Sequence, residues 1–165
     1  MFTLKKTRFL CATLAAAMMV SSAPVFAGNS TGSLIVTATV LASCTVVGST
    51  IAFGNYSSAQ VDQSGNIAVL CTNGTNYTIG LDAGAGTGAT TSNRKMTGSL
   101  GGNLNYALFR DTGRTNNWGS TTGTDTLAGT GSGLVQNLVV YGRIASGQTP
   151  LAGVYTDTVL VTLTY

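Results

Sequence analysis

The sequence predicts an all-β domain, and three observations support this prediction. Only 8% of its 165 residues are charged, too few for disordered tails or long solvated helices. All 22 glycines lie after residue 27, together with 24 threonines and no glutamate, a balance that favours strands and turns over helix surfaces. Apolar and polar residues alternate in short segments separated by glycine clusters, which is typical of a β-sandwich or a small barrel.

Residues 1–27 are predicted to be a secretory signal peptide. Basic residues at the start precede an uncharged apolar run at residues 9–20, and small residues precede a cleavage site after Ala27. The run is too short to cross a bilayer, which takes about 20 residues. Cys11 lies inside this segment and is expected to be removed with it. An uncleaved N-terminal membrane anchor is the alternative.

Cleavage after Ala27 changes the charge of the chain. Three of the eight basic residues lie in the first 27, so five basic residues remain against five aspartates. The mature chain therefore lacks the basic surface expected for binding nucleic acid or anionic lipid. The absence of histidine removes Ser-His-Asp and Cys-His catalysis and His-containing metal sites. We expect neither an enzyme nor a bound cofactor.

The mature chain contains seven predicted strand segments. The first, residues 33–47, runs for 15 residues without glycine or proline, and its even positions from Leu34 to Ala42 form one apolar face. No segment shows an apolar period of 3.6 residues. The remaining predicted strands, separated by glycine-rich turns, are residues 50–53, 66–71, 77–82, 104–109, 134–144 and 155–165.

The last of these segments, residues 155–165, alternates most regularly between apolar and polar positions. A long terminal strand must pair on both edges or be covered, because an open edge promotes aggregation. Asp157 lies on its apolar face, so we expect the carboxylate to be hydrogen-bonded, ion-paired or placed at the solvated start of the strand. The candidate partners for an ion pair are Arg110, Arg114 and Arg143.

Two cysteines remain after cleavage, Cys44 and Cys71, and each lies at the edge of a predicted strand. One pair in an exported chain is expected to form one disulfide in an oxidising compartment. Such a bond contributes roughly 3–4 kcal/mol in the chain-entropy model. A metal site on these two thiols would need further ligands, and there is no histidine to supply them.

Residues 110–119 contain the only tryptophan, Trp118, beside two arginines and an aspartate. Trp118 could form a sugar-binding platform by stacking on a ring. Alternatively, the segment is a strand end and turn in which Arg and Asp pair locally and Trp118 fills the sandwich. We favour the structural interpretation.

Four stretches of the mature sequence, together with the paired cysteines, form a recognisable pattern. Its most specific part is Gly-x-Tyr-x-Asp at residues 153–157, directly before the alternating last strand. The stretches are residues 71–82, 105–114 with Trp118 and Gly119, 141–148 and 153–165. With these features the sequence resembles the spore coat protein U family, which includes the pilin subunits of archaic chaperone-usher pili.

The resemblance implies an incomplete immunoglobulin-like β-sandwich of Greek-key type, which lacks its final strand. In such pilins a periplasmic chaperone fills the gap first. The N-terminal extension of the next identical or related subunit then replaces it at the outer-membrane usher. The product would be a cell-surface fimbrium that supports adhesion and biofilm formation.

Carried over by position, the resemblance divides this chain into a donor-strand extension at residues 28–43 and a pilin domain at residues 44–165. The inserting residues would be Leu34, Val36, Ala38 and Val40. The strand that borders the groove and contacts the chaperone would present Val159, Val161, Leu163 and Tyr165.

The residues support a donor strand independently, because residues 34–47 contain no Gly, Pro, Asn or Asp for a tight turn. The segment is therefore better suited to adding a strand to another molecule. Two alternatives remain. A secreted sandwich domain that binds a sugar or acts as an inhibitor fits the composition. A small outer-membrane β-barrel fits the export, alternation and C-terminal aromatic residue, but Asp157 and the lack of an aromatic girdle argue against it.

Overall fold

The structure, a computed structural model, describes residues 24–165, so most of the predicted signal peptide lies outside the described residues. The described part of the chain contains nine strands and no helix, which confirms the all-β prediction. The chain divides into two units, one ending at Ala38 and the other comprising Thr39–Tyr165. In the first unit, residues 24–38 are exposed and form no strand.

All nine strands belong to the second unit. In chain order they are β1 (Cys44–Gly48), β2 (Val61–Cys71), β3 (Asn76–Leu81), β4 (Arg94–Gly98), β5 (Asn103–Phe109), β6 (Leu127–Thr130), β7 (Gln136–Ile144), β8 (Tyr155–Thr156) and β9 (Val161–Thr164).

The strands form two antiparallel sheets. The larger has six strands in the order β1-β2-β7-β5-β4-β8, and the smaller has three in the order β6-β3-β9. The longest pairing joins β2 to β7, from Val61 opposite Ile144 to Val69 opposite Gln136. Four strands lie at sheet edges, namely β1 and β8 in the larger sheet and β6 and β9 in the smaller.

The core consists of side chains that alternate inward along these strands. In β5, Leu104, Tyr106 and Leu108 are buried, while the residues between them are partly exposed. Trp118 is fully buried, and its indole Nε1 donates a hydrogen bond to the Ile79 carbonyl at 2.9 Å. The sugar-platform interpretation of Trp118 is therefore wrong, because the ring has no exposed face on which a sugar could stack.

Residues 50–53 form no strand, so that prediction is wrong. Ile51 and Phe53 instead lie across the larger sheet where two glycines leave room for them. A Cβ on Gly65 would come within 2.6 Å of Ile51 Cγ1, and one on Gly142 within 2.7 Å of Phe53 Cζ. The apolar spacing of this segment thus reflects packing on the face of a sheet, with no strand pairing of its own.

The last predicted segment is divided into β8 and β9. Residues 157–160 carry the chain from the larger sheet to the smaller. Two aspartates accept backbone hydrogen bonds here. Asp157 Oδ1 accepts from the Thr158 amide and Asp82 Oδ1 from the Leu160 amide, both at 2.8 Å. The predicted alternation continues through the break, because odd positions from 155 to 163 are half-buried and even positions are exposed.

The structure also differs from the predicted strands at β1, β4 and β6. Of predicted residues 33–47, only those from Cys44 onward form a strand, β1. The strands β4 and β6 were not predicted. Both are short and rich in residues that are not typical of strands, such as the Arg94 and Lys95 pair of β4 and the glycine of β6.

Candidate functional site

An open groove lies between the two sheets, with a cavity volume of about 1520 Å³. It exists because β9 pairs with β3 on one side only, and β1 pairs with β2 on one side only. The two strands approach each other, since a Cβ on Gly48 would lie 3.5 Å from Val161 Cγ2. They belong to different sheets, and the backbone edge of β9 that faces away from β3 pairs with no described strand.

The groove is lined by both sheets and by two irregular segments. One wall includes residues 48–56, which begin at the last residue of β1. Another includes residues 149–161, which contain β8 and end at the first residue of β9. Its floor is the hydrophobic core itself. An extended apolar segment placed here would cover the core with its side chains and offer its backbone to β9. The buried side chains of the floor are Ile67, Leu81, Met96, Leu104, Tyr106, Leu108, Val140 and Ile144.

A hydrogen-bonded carboxylate joins the floor of the groove to its wall. The Tyr106 hydroxyl donates to Asp157 Oδ2 and the Ala85 amide donates to Oδ1, both at 2.7 Å. Burial, reinforced by the hydrogen bond to Asp157, raises the pKa of Tyr106, so the phenol stays protonated and remains a donor. This contact fixes the crossover segment that precedes β9.

None of the three arginines considered as partners of Asp157 forms an ion pair with it. Arg143 Nε donates to Asp62 Oδ1 at 2.7 Å, and Arg114 Nε lies 3.6 Å from the same oxygen. Arg110 donates to a backbone carbonyl. The ion-pair alternative is therefore wrong, and the hydrogen-bonded alternative is the one observed. The hydrogen bond from Arg143 lowers the pKa of Asp62.

We expect Asp157→Ala to lower the free energy of unfolding by about 1–3 kcal/mol, because the Tyr106 hydroxyl and the Ala85 amide lose their acceptor. The matched control is Asp62→Ala, which removes an ion pair of partly exposed side chains worth about 1 kcal/mol or less. Urea unfolding curves of the two variants measure the difference. Equal midpoints for both would show that the contact in the groove has no special stabilising role.

A buried arginine on β4 joins three of the segments near the groove by hydrogen bonds. The guanidinium of Arg94 is completely buried and donates to four backbone carbonyls, at distances of 2.6–3.1 Å. Burial lowers the pKa of Arg94. The bonds tie β4 to the end of β3 and to the chain before β6. The four acceptors belong to Leu81, Asp82, Thr91 and Trp118.

The predicted disulfide between Cys44 and Cys71 is confirmed. The two residues stand directly opposite each other in the first register pair of β1 and β2. Cys71 is buried, and Cys44 packs against the core. The bond therefore anchors the chain to the larger sheet at the point where the N-terminal extension meets the domain.

We expect the double substitution Cys44→Ser with Cys71→Ser to lower the free energy of unfolding by roughly 3–4 kcal/mol, since the unfolded chain regains the freedom of a 27-residue loop. Urea unfolding of the oxidised wild type, the reduced wild type and the variant measures this loss. The reduced wild type should match the variant. Identical midpoints for the oxidised wild type and the variant would contradict the expectation.

The four residues proposed to insert into a neighbour lie in the extension and are all exposed. Leu34, Val36 and Val40 have exposed fractions of 88%, 83% and 81%. Ala38 is also exposed. Side chains of this size are normally buried in a folded protein, so a long apolar segment with this exposure is typical of an interaction site.

The four residues expected to border the groove occupy different positions. Val159 and Val161 line the cavity. Leu163 is half-buried on β9 opposite Ile79 and packs against the core. Tyr165 follows the strand and is 62% exposed. The structure thus places two of the four on the groove wall itself.

The described residues, 24–165, offer neither a membrane-spanning helix nor a metal site. No helix in this part of the chain has the length and apolar character needed to cross a membrane. Between residues 24 and 165 there is also no group of three or more His, Cys, Asp or Glu side chains suited to a metal ion.

Comparison with known proteins adds three findings. A family model described as Spore Coat Protein U domain matches residues 30–162. Protein U of Myxococcus xanthus is 34% identical over 173 aligned residues, which cover 94% of this chain and 96% of that protein. A chain in the crystal structure of the CsuC–CsuE chaperone–tip adhesion subunit pre-assembly complex, from archaic chaperone-usher Csu pili of Acinetobacter baumannii, is also similar.

That structural match has a TM-score of 0.60 at 22% identity and covers 77% of this chain. This chain spans only 41% of the length of the matched chain. The likeness concerns the fold, and it confirms the predicted immunoglobulin-like sandwich of antiparallel strands.

Proposed function

This chain belongs to the Spore Coat Protein U family, and on that premise we propose that it is a structural subunit of a chaperone-usher surface pilus. It would polymerise by donor-strand exchange. Residues 28–43 of one copy would fill the groove in the domain of the next copy, residues 44–165. It has a structural role and is not an enzyme.

The observation that carries this proposal is the unpaired edge of β9 beside a groove whose floor is the hydrophobic core. A sandwich that leaves its core accessible along a free strand edge is prone to aggregate unless a strand covers it. The cover must be extended and apolar at alternate positions. Residues 33–42 have that pattern, and Leu34, Val36 and Val40 are exposed in the isolated chain.

The energetic gain is large enough to hold subunits together. Fully burying each of Leu34, Val36 and Val40 contributes roughly 1.5–3 kcal/mol, which gives about 5–9 kcal/mol before the costs of ordering the chain. Backbone hydrogen bonds to β9 add to this gain. The small side chain of Ala38 contributes little area and suits a shallow part of the groove.

The partners follow from the same groove. A subunit cannot remain in the periplasm with its core open, so we propose that a periplasmic chaperone covers the groove until an outer-membrane usher exchanges it for the next extension. Export by the predicted signal peptide and location in a cell-surface fimbrium belong to the same proposal. Adhesion and biofilm formation are the expected roles of such a fibre.

The test is to compare cells that produce the chain with cells that lack it. We expect surface fibres by electron microscopy and, on gels of unheated samples, a ladder of high-mass species that collapses to one band after boiling. Fibres should be labelled by an antibody against the chain. A secreted chain that remains monomeric and leaves the cell surface unchanged would contradict the proposal.

A further inference from the structure

The root of the extension, residues 41–43, is held to the domain by Thr72. The Thr72 amide donates to the Ser43 carbonyl at 2.9 Å, and the Ser43 amide donates to Thr72 Oγ1 at 3.2 Å. The single proton of the same hydroxyl is shared between the Leu41 carbonyl at 3.3 Å and the Ser43 carbonyl at 3.4 Å. The strand pairing of β1 with β2 ends at the disulfide-linked pair Cys44 and Cys71. Beyond it, Thr72 reaches Ser43 through its backbone amide and Leu41 only through its side chain.

The Thr72 hydroxyl has a role that few side chains can fill. Any residue except proline would supply the backbone bond to Ser43, but the two further bonds need one short hydroxyl that both accepts and donates. Among the described residues, no other side chain forms a hydrogen bond to residues 41–43. Thr72 is half-buried, whereas Leu41 and Ser43 are exposed.

The role of Thr72 in a fibre depends on the proposed function, in which the extension of one subunit inserts into the next. The contacts of Thr72 then leave no unattached residues between the inserted strand and its own domain. Val40 would be the last residue inserted into a neighbour, and Leu41 is already bound to its own domain. Three unheld residues would span up to about 10 Å and let two domains pivot about each other. We propose that Thr72 is a positioning residue that fixes the orientation of each subunit relative to the subunit that holds its extension.

The test compares fibres made from the wild type, Thr72→Val and Thr72→Ser. Valine keeps the shape and removes the hydroxyl, whereas serine keeps the hydroxyl. We expect Thr72→Val fibres to form in normal amount but to bend more, with a persistence length reduced about twofold or more in electron micrographs. Thr72→Ser should restore the wild-type value. The matched control is Thr45→Val, an exposed threonine at the same end with no side-chain hydrogen bond among the described residues.

A second measurement separates this inference from the proposed function. Amide hydrogen exchange at Ser43 in the full chain should be roughly fivefold faster in Thr72→Val, because the bond to the hydroxyl is lost. Thr72→Val fibres as stiff as the wild type overturn the positioning role. If the wild type forms no fibres, the proposed function fails. In that case an unchanged rate of amide hydrogen exchange at Ser43 in Thr72→Val also shows that the Thr72 hydroxyl does not hold residues 41–43. A faster rate shows that it does.

Discussion

Val36→Asp is expected to abolish fibre formation while leaving the domain folded. The side chain is 83% exposed in the isolated chain and lies in a segment without strand pairing, so the change removes no contact of the core. In a neighbour's groove the same carboxylate would face a floor of Leu, Met and Val side chains. An unpaired charge there costs several kcal/mol, which is comparable to the whole gain from inserting the strand.

The matched control is Thr37→Asp, one residue along and on the opposite face of the extended segment. It adds the same charge, and its side chain would point away from the groove, so we expect normal fibres and normal ladders on unheated gels. A thiol assay and urea unfolding of both variants would show an intact disulfide and an unchanged midpoint. Wild-type fibres from Val36→Asp would contradict the donor-strand assignment.

The features of this fold that could be predicted are those determined by residues close to one another in the sequence. The alternation at residues 155–163 identifies the half-buried face correctly, because period-2 patterning is a property of the strand itself. The pairing of Cys44 with Cys71 is also accessible, since only two cysteines follow the predicted cleavage site. The donor-strand extension stays a prediction, made because residues 34–47 lack the residues that form tight turns.

The features that were missed depend on distant contacts. Asp157 takes its hydrogen bond from Tyr106, which lies 51 positions away. No local pattern marks that tyrosine as a partner, and three arginines were more obvious candidates for a buried carboxylate. Likewise, Ile51 and Phe53 look like strand residues, and only the glycines opposite them on other strands reveal that they pack across a sheet face.

The break between β8 and β9 shows how these distant contacts produce the groove. The carboxylates of Asp157 and Asp82 accept hydrogen bonds from the backbone amides of Thr158 and Leu160. In a continuous strand these amides would be available to pair with a neighbouring strand. The chain can therefore leave the larger sheet and enter the smaller one, where β9 becomes an edge. Tyr106 holds Asp157 at the start of this crossover, and Arg94 donates to the backbone carbonyl of Asp82, whose carboxylate accepts the Leu160 amide. Polar side chains thus position one wall of an apolar groove.

Moving residues 33–42 to the C-terminus is expected to give a soluble monomer that is much more stable than the natural chain. A loop of about five residues after Tyr165 is long enough for a hairpin-like return along β9. The moved segment would fill the groove of its own domain, with a gross gain of about 5–9 kcal/mol from Leu34, Val36 and Val40. The short loop keeps the entropic cost of closure small.

The control is the same rearranged chain with aspartate at the position of Val36, which should gain little, because the charge opposes insertion. Urea unfolding and gel filtration of the two chains measure the difference. The rearranged chain should also fail to enter fibres when mixed with the natural chain, since it has neither a free groove nor a free extension. Equal unfolding midpoints for the rearranged chain and its control would mean that the groove does not accept this segment, and the assembly mechanism would then need another strand.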